Sequence, residues 1–331
     1  MRIDLKPIAD QVIVITGASS GIGLVTARAA ARRGARVLLI ARNGAALREI
    51  VDDIVATGGS ADYAIADVGD HDQLNAAADR AIARFGRIDT WVNVAGVAIY
   101  AKLLETPRHE HERLFRTNYF GVVNGAEIAV RHLRAKGGAL ITVASIAADI
   151  ASPVMGAYAA SKHAVKGYIE SLRLELNTDA TPIAVTLIKP SGIDTPIAAH
   201  AANHVEGEAL IPPPAYDPIL VADAILDAAE HPRLDVTVGG VGRAQVLAVT
   251  HFPGLFARLG GWDAPLLSDP DRPKTPSNNL DGPADDGDER SATTSGRPFS
   301  IYSTAERHRG LMLGVAAICT LGGIVLARHR R

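Results

Sequence analysis

The chain has 331 residues, 21% of them charged and 47% hydrophobic, and a formal net charge of −2. That length admits one large α/β domain with extensions or two modest domains, and the apolar content excludes bulk disorder. The near-neutral balance excludes a nucleic-acid partner held by bulk charge, and the single cysteine, Cys319, excludes an intrachain disulfide or a Cys-rich metal site.

Charged Arg2, Asp4 and Lys6 precede the first apolar run, with no apolar region of a secretory signal. A β-branched run predicts a strand over 12–15, followed by an alanine-rich helix over 21–33 that Gly34 stops. Strands are then expected over 37–40, 61–66, 90–94, 139–144, 183–188 and 234–238. Helices are expected between them over 43–57, 71–85, 108–135 and 157–176, and from an Asp217-Pro218 cap to about residue 230. One more is expected over 243–259. Buried Val, Ile and Leu runs alternating with helices imply a Rossmann-type doubly wound α/β fold, with about seven parallel strands covered on both faces.

Composition divides the chain into a domain over 1–260, a linker over 261–306 and an apolar end over 307–331. The middle stretch is rich in Pro, Asp, Ser and Gly, as in Pro270-Asp271-Arg272-Pro273 and Asp285-Asp286-Gly287-Asp288-Glu289. Such a composition predicts a solvated, loosely packed linker, of which 262–267 can still pack on the domain. Residues 311–327 form an unbroken apolar run between Arg309 and Arg328. As a helix it would span roughly 25 Å against a hydrocarbon core of ~30 Å, a short membrane anchor with snorkelling arginines. A buried or interfacial helix is the alternative. Basic residues on both flanks leave orientation open, and the catalytic domain is expected on the cytoplasmic side.

Directly after the first strand comes Thr16-Gly17-Ala18-Ser19-Ser20-Gly21-Ile22-Gly23. Gly17 permits a tight turn, Gly21 and Gly23 admit close backbone approach, and the following helix offers free N–H groups to a pyrophosphate. An NAD site wants a carboxylate at the end of the second strand, where this chain has Arg42 instead. A guanidinium there pairs with a 2′-phosphate, so NADP(H) is the expected cofactor. Were Arg42 an ordinary exposed arginine, the choice would stay open. Asp67-Val68 ends the third strand, where a carboxylate can meet the adenine amino group. Asn93-Val94-Ala95-Gly96 ends the fourth, at the crevice where such sheets bind ligands.

Tyr158 and Lys162 are four apart in a predicted helix, hence on one face. A phenol at pKa ~10 is a poor acid or base at neutrality, and an adjacent ammonium is expected to lower that value. Ser145 closes the fifth strand, where its hydroxyl can bond a substrate oxygen. Asn118, in the long helix before that strand, can hold a water for proton relay. Taken singly, each is as readily a structural hydrogen-bonding residue.

Together these residues resemble the short-chain dehydrogenase/reductase family over about residues 8–240. The match includes the glycine turn, Asp67, Asn93-x-Ala95-Gly96, Asn118, Ser145, Tyr158, Lys162 and Pro190-Ser191-Gly192-Ile193-Asp194-Thr195. The glycine spacing is that of the shorter branch of the family. The resemblance implies hydride transfer between NADPH and a carbonyl, with Tyr158 passing the proton and Ser145 orienting the oxygen. It implies that Lys162 binds the nicotinamide ribose, that Asn118 supports a water, and that Ile193 and Thr195 contact the carboxamide side. Val94, where the family often has Asn, and Ser191, between the usual Pro and Gly, depart from the pattern. The extension past the seventh strand puts the usual tetramer in doubt and leaves a homodimer through the helices around Asn118 and Tyr158.

Residues 194–216 should cover the site, and Ile197, Leu210 and Ile211 suggest a hydrophobic ketone or aldehyde, although any lid needs apolar residues to close. His200-x-x-x-His204 with Glu206 has zinc-like spacing and no third ordered ligand, so no metal is assigned. Two other functions compete with a membrane-tethered reductase: a non-catalytic NADP(H)-responsive scaffold and a soluble 3-oxoacyl-thioester reductase.

Overall fold

Seven strands form one parallel sheet in the computed structural model, which describes residues 3–259, 261, 264–275, 278–283 and 286–307. They are β1 (Val12–Thr16), β2 (Arg36–Ala41), β3 (Ser60–Ile65), β4 (Thr90–Asn93), β5 (Gly138–Val143), β6 (Ile183–Pro190) and β7 (Asp235–Val238). Their spatial order is β3-β2-β1-β4-β5-β6-β7. The chain reverses direction across the sheet between β1 and β4, the switch point where such sheets bind ligands. The strands are buried on both sides because alternate residues feed two cores. Ile13 and Ile15 pack with α1 (Gly21–Arg32), α2 (Gly44–Ala56) and α7 (Ile219–Glu230). Val12 and Val14 pack with α3 (His71–Phe85), α5 (Gly121–Leu133) and α6 (Gly156–Thr178).

The helix expected over 108–135 is interrupted. α4 (Arg108–Phe115) runs into a π-helical turn, Arg116–Phe120, before α5 begins. The wider turn buries Asn118 completely and bonds it to the end of the β4 loop. Such turns tend to mark functional positions. The helix expected over 243–259 divides into α8 (Gly240–His251) and α9 (Pro253–Leu259), because proline cannot continue the ladder. Asp217 caps α7 as expected, its Oδ1 accepting the Ile219 N–H at 2.9 Å.

The C-terminal stretch differs most from its sequence reading. The described part of 261–306 is not a loose linker. Ser268–Asp269 pairs antiparallel with Glu208–Ala209, and Leu267 and Leu280 are buried. Arg290 forks onto Asp217 at 3.0 and 3.1 Å, and the buried Asp194 carboxylate accepts the Ser291 and Gly296 N–H groups. The chain then runs beside Tyr216, and the described residues end in α10 (Ile301–Arg307). Docking rests on backbone hydrogen bonds and a few side chains, neither of which leaves a hydrophobic period to read. The apolar run over 311–327 lies outside the described residues; among those described, no helix is long and apolar enough to cross a membrane.

Candidate active site

A cleft opens over the carboxyl ends of β1, β2 and β4, walled by the β1–α1 turn. Gly17, Ser19, Ser20, Gly21, Ile22 and Gly23 all line it. Two of these glycines are dictated by space. A side chain on Gly23 would sit 2.1 Å from the Gly17 carbonyl oxygen. Gly17 has φ +66° and no room for a Cβ against Ala95, 2.6 Å from its Cα. The two glycines therefore bring backbone to the cleft wall, and α1 begins there with its first-turn N–H groups.

Arg42, Asp67 and Val68 line one end of the cleft, and Ala95, Gly96 and Thr195 lie nearer the other. Asp67 accepts the Arg113 guanidinium at 2.6 Å and the Gly69 N–H at 2.9 Å. Burial works to raise its pKa, but these bonds and the charges of Arg113 and Arg42 win, holding it below the ordinary carboxylate range. Arg113 has no place in the sequence reading, since one arginine in a charged helix start carries no signal. Thr117 also lines the cleft unforeseen, while Pro196, Ile197 and His200 line it from the loop expected to cover the site.

Three expected cofactor residues do not present side chains there. Asn93 turns into the protein, accepting the Trp91 indole N–H at 2.8 Å and facing Thr142. Ile193 is buried in the main core, and Pro190 closes β6 against β7. Only their backbone can serve the site. The carboxamide of Asn118 is also engaged, accepting from the Val97 N–H at 2.8 Å and donating to the Val97 oxygen and Ser161 Oγ at 3.0 Å each. It pins the backbone after Gly96. Asn118 Oδ1 and Lys162 Nζ approach the same point beside Gly96, at 3.5 and 3.6 Å from where a Cβ would stand.

At the inner end, α6 brings Tyr158 and Lys162 onto one face, with the ammonium 5.5 Å from the phenol ring centre. Lys162 is buried and donates to the Val143 oxygen at 3.2 Å. Burial lowers its pKa to about 8. Tyr158 keeps some surface open, yet the surrounding protein desolvates the phenol and pushes its pKa up to about 12. A hydrogen bond with Ser145 opposes that rise. Burial, opposed by the Ser145 bond, sets the Tyr158 shift, so the lowering expected from Lys162 does not appear. Around Tyr158 packs an apolar cluster of Ala198 and Ile211 from the 194–216 loop, Tyr100, and partly buried Met155 and Ile197.

This geometry agrees with what known proteins show. Residues 11–206 match the family described as short chain dehydrogenase. The chain belongs to the short-chain dehydrogenase family. An uncharacterized oxidoreductase of Bacillus subtilis, YxnA, is 44% identical over 78% of this short-chain dehydrogenase and 73% of its own length. The dehydrogenase/reductase SDR family member 7B of Danio rerio is 30% identical over 78% of this chain and 87% of that protein. A short chain dehydrogenase of Burkholderia cenocepacia, solved in complex with NADP, aligns with a TM-score of 0.65 at 28% identity. That alignment covers 77% of this chain and 99% of the other. The chain is thus an oxidoreductase of a family with the Rossmann-type α/β fold.

Proposed function

We propose that this short-chain dehydrogenase interconverts a hydrophobic ketone or aldehyde and its alcohol with NADP(H), Tyr158 acting as general acid and base. The observation that carries the reading is the convergence of Ser145, Tyr158 and Lys162, with Lys162 Nζ beside Gly96 of a glycine-walled cleft. The outer end fits a phosphorylated dinucleotide: two glycines leave room for backbone approach, α1 opens toward it, and Arg42 takes the place of a ribose-binding carboxylate. The NADP complex of the Burkholderia cenocepacia relative supports the same choice. The nicotinamide, when bound, supplies or accepts the hydride.

The chain's own residues do the rest. Ser145 Oγ, beside the Tyr158 hydroxyl, holds and polarises the carbonyl oxygen. Tyr158 Oη gives that oxygen its proton in reduction and takes it back in oxidation. Lys162 places positive charge next to the phenol, and the free lone pair of Asn118 Oδ1 offers a relay water a site facing Lys162. Arg42 pairs with the 2′-phosphate, and Thr195 closes the cleft opposite Gly21. The apolar side chains packed around Tyr158 favour a hydrophobic substrate. Replacing Tyr158 with Phe is expected to lower kcat on hydrophobic ketones at least a thousandfold while NADPH still binds; near-normal turnover would overturn the mechanism.

The apolar run over 311–327 extends the reading to a membrane tether, and exposed Phe120 and Leu174 near the α5 and α6 faces suit a homodimer. Full-length protein is expected in the membrane pellet after a high-salt wash and at twice the protomer mass in detergent. Recovery in the supernatant would remove the tether, and a monomer would remove the pairing.

A further inference from the structure

Two handles of the cleft are already held, and by the same stretch of chain. Gly21 is the first residue of α1, and its N–H is among the free donors that a helix start offers to phosphate. Here the carbonyl oxygen of Asp288 accepts it at 2.8 Å, while Gly287 donates to the Ser19 oxygen at 2.9 Å. At the other end, the Arg42 guanidinium donates to the carbonyl oxygens of Asn279 and Leu280. Arg113 donates to the same Leu280 oxygen at 2.9 Å. Leu280 is seated in an apolar cluster with Val97, Ile99 and Leu114. Asp281 and Asp286 add negative charge within electrostatic reach of Arg42.

Backbone oxygens and carboxylates thus stand where phosphate oxygens would be read, at both ends of one site. The cleft that remains has a volume of about 150 Å³. Ligand sites for small molecules run to roughly 300–1,000 Å³, and a dinucleotide needs space at the upper part of that range. The strap and the cofactor cannot both hold the single N–H of Gly21, and they compete for the Arg42 guanidinium.

We propose that residues 278–283 and 286–290 form an intrasteric strap that competes with NADP(H) for the cleft. This rests on the reading that the cleft binds a dinucleotide. The strap is tethered, not free: Arg290 on Asp217 holds one end and Leu280 seats the other. Cofactor binding then costs the opening of the strap, and apparent affinity is reduced by the fraction of molecules in the open form. Whatever draws the C-terminal segment away from the cleft raises the affinity for cofactor by the same factor.

The test is a pair of measurements on the full chain. Gly287 has φ +115°, which proline cannot adopt, and proline also deletes the N–H that donates to Ser19. Nothing lies within 4 Å of a Cβ at that position, so Gly287→Pro acts on the strap alone. NADPH is expected to bind the variant about tenfold more tightly, equivalent to loosening the closed strap by ~1.4 kcal/mol. Backbone hydrogen exchange over 279–290 of the unmodified chain is expected to speed up when NADPH is added. If NADPH instead protects 279–290 and binds Gly287→Pro no better, the strap is a clamp over bound cofactor and competition is overturned while the cofactor reading stands. If neither NADPH nor NADH binds either form, the cofactor reading falls and competition falls with it.

Discussion

The two ends of the cleft are built on opposite principles. At the outer end, Arg42, Asp67 and Arg113 carry charge and find partners, through the Asp67–Arg113 ion pair and the carbonyl oxygens of Asn279 and Leu280. At the inner end, Tyr158 and Lys162 are desolvated, and burial pushes the phenol up and the ammonium down. Both shifts favour the neutral form of the group. A ligand at the outer end must exchange partners that are already good, so net affinity there is a small difference between large interactions. A proton at the inner end is held in a setting that solvates charge poorly, where added charge or a hydrogen-bonding oxygen moves it readily. Recognition is met by replacement, chemistry by preparation.

Substitutions can break this division. The largest expected effect belongs to the inner end, where Tyr158→Phe is expected to remove turnover and leave cofactor binding. Next comes Arg42→Asp. Fluorescence titration is expected to show NADPH weakened about a hundredfold and NADH unchanged or improved, with kcat at saturating cofactor within a fewfold of normal. A preference for NADH in the unmodified chain would mean that Arg42 serves only the strap.

The smallest effect is on stability and reads the inner end directly. The Lys162 ammonium is held at about 8, against 10.5 for an exposed lysine. Between those values the unfolded chain binds the proton that the folded chain has released, so stability rises with pH through this window. The Tyr158 shift acts oppositely and higher, between 10 and about 12, where the unfolded chain has lost a proton that the folded chain keeps. Relative to Lys162→Met, the unmodified protein should gain about 2 kcal/mol of unfolding free energy from pH 8 to 10 in urea titrations. A constant difference would mean that Lys162 is not desolvated.

The sheet was legible because most strands are short apolar runs set off by glycine, proline or a cap, and the expected and observed strands agree to within a residue or two. The glycine turn and the Tyr158–Lys162 spacing were legible for a similar reason: the pattern is local, and a helix places residues four apart on one face. What escaped depended on contacts between distant segments. The π-turn at 116–120 follows from how Asn118 meets Val97, and nothing in its own residues announces it. Asn93 reads as a cofactor residue until Trp91, two positions earlier, is seen to occupy its oxygen. The strap escaped most completely. Its Pro, Asp and Gly content denies it helix and strand, and it docks through carbonyl oxygens, which every sequence possesses.

The buried Asp194 carries a consequence for how the protein is made. Its carboxylate is paired by Ser291 and Gly296, 97 and 102 positions later. At synthesis rates of about 5–20 residues per second, that carboxylate waits roughly 5–20 s for its partners to be translated. Asp217 waits almost as long for Arg290, 73 positions on. The loops that carry Asp194 and Asp217 are therefore among the last parts of the domain to be finished, long after the strands that support them. A nascent chain that stalls before residue 290 presents a completed sheet topped by two acidic side chains still missing the segment that ties them down.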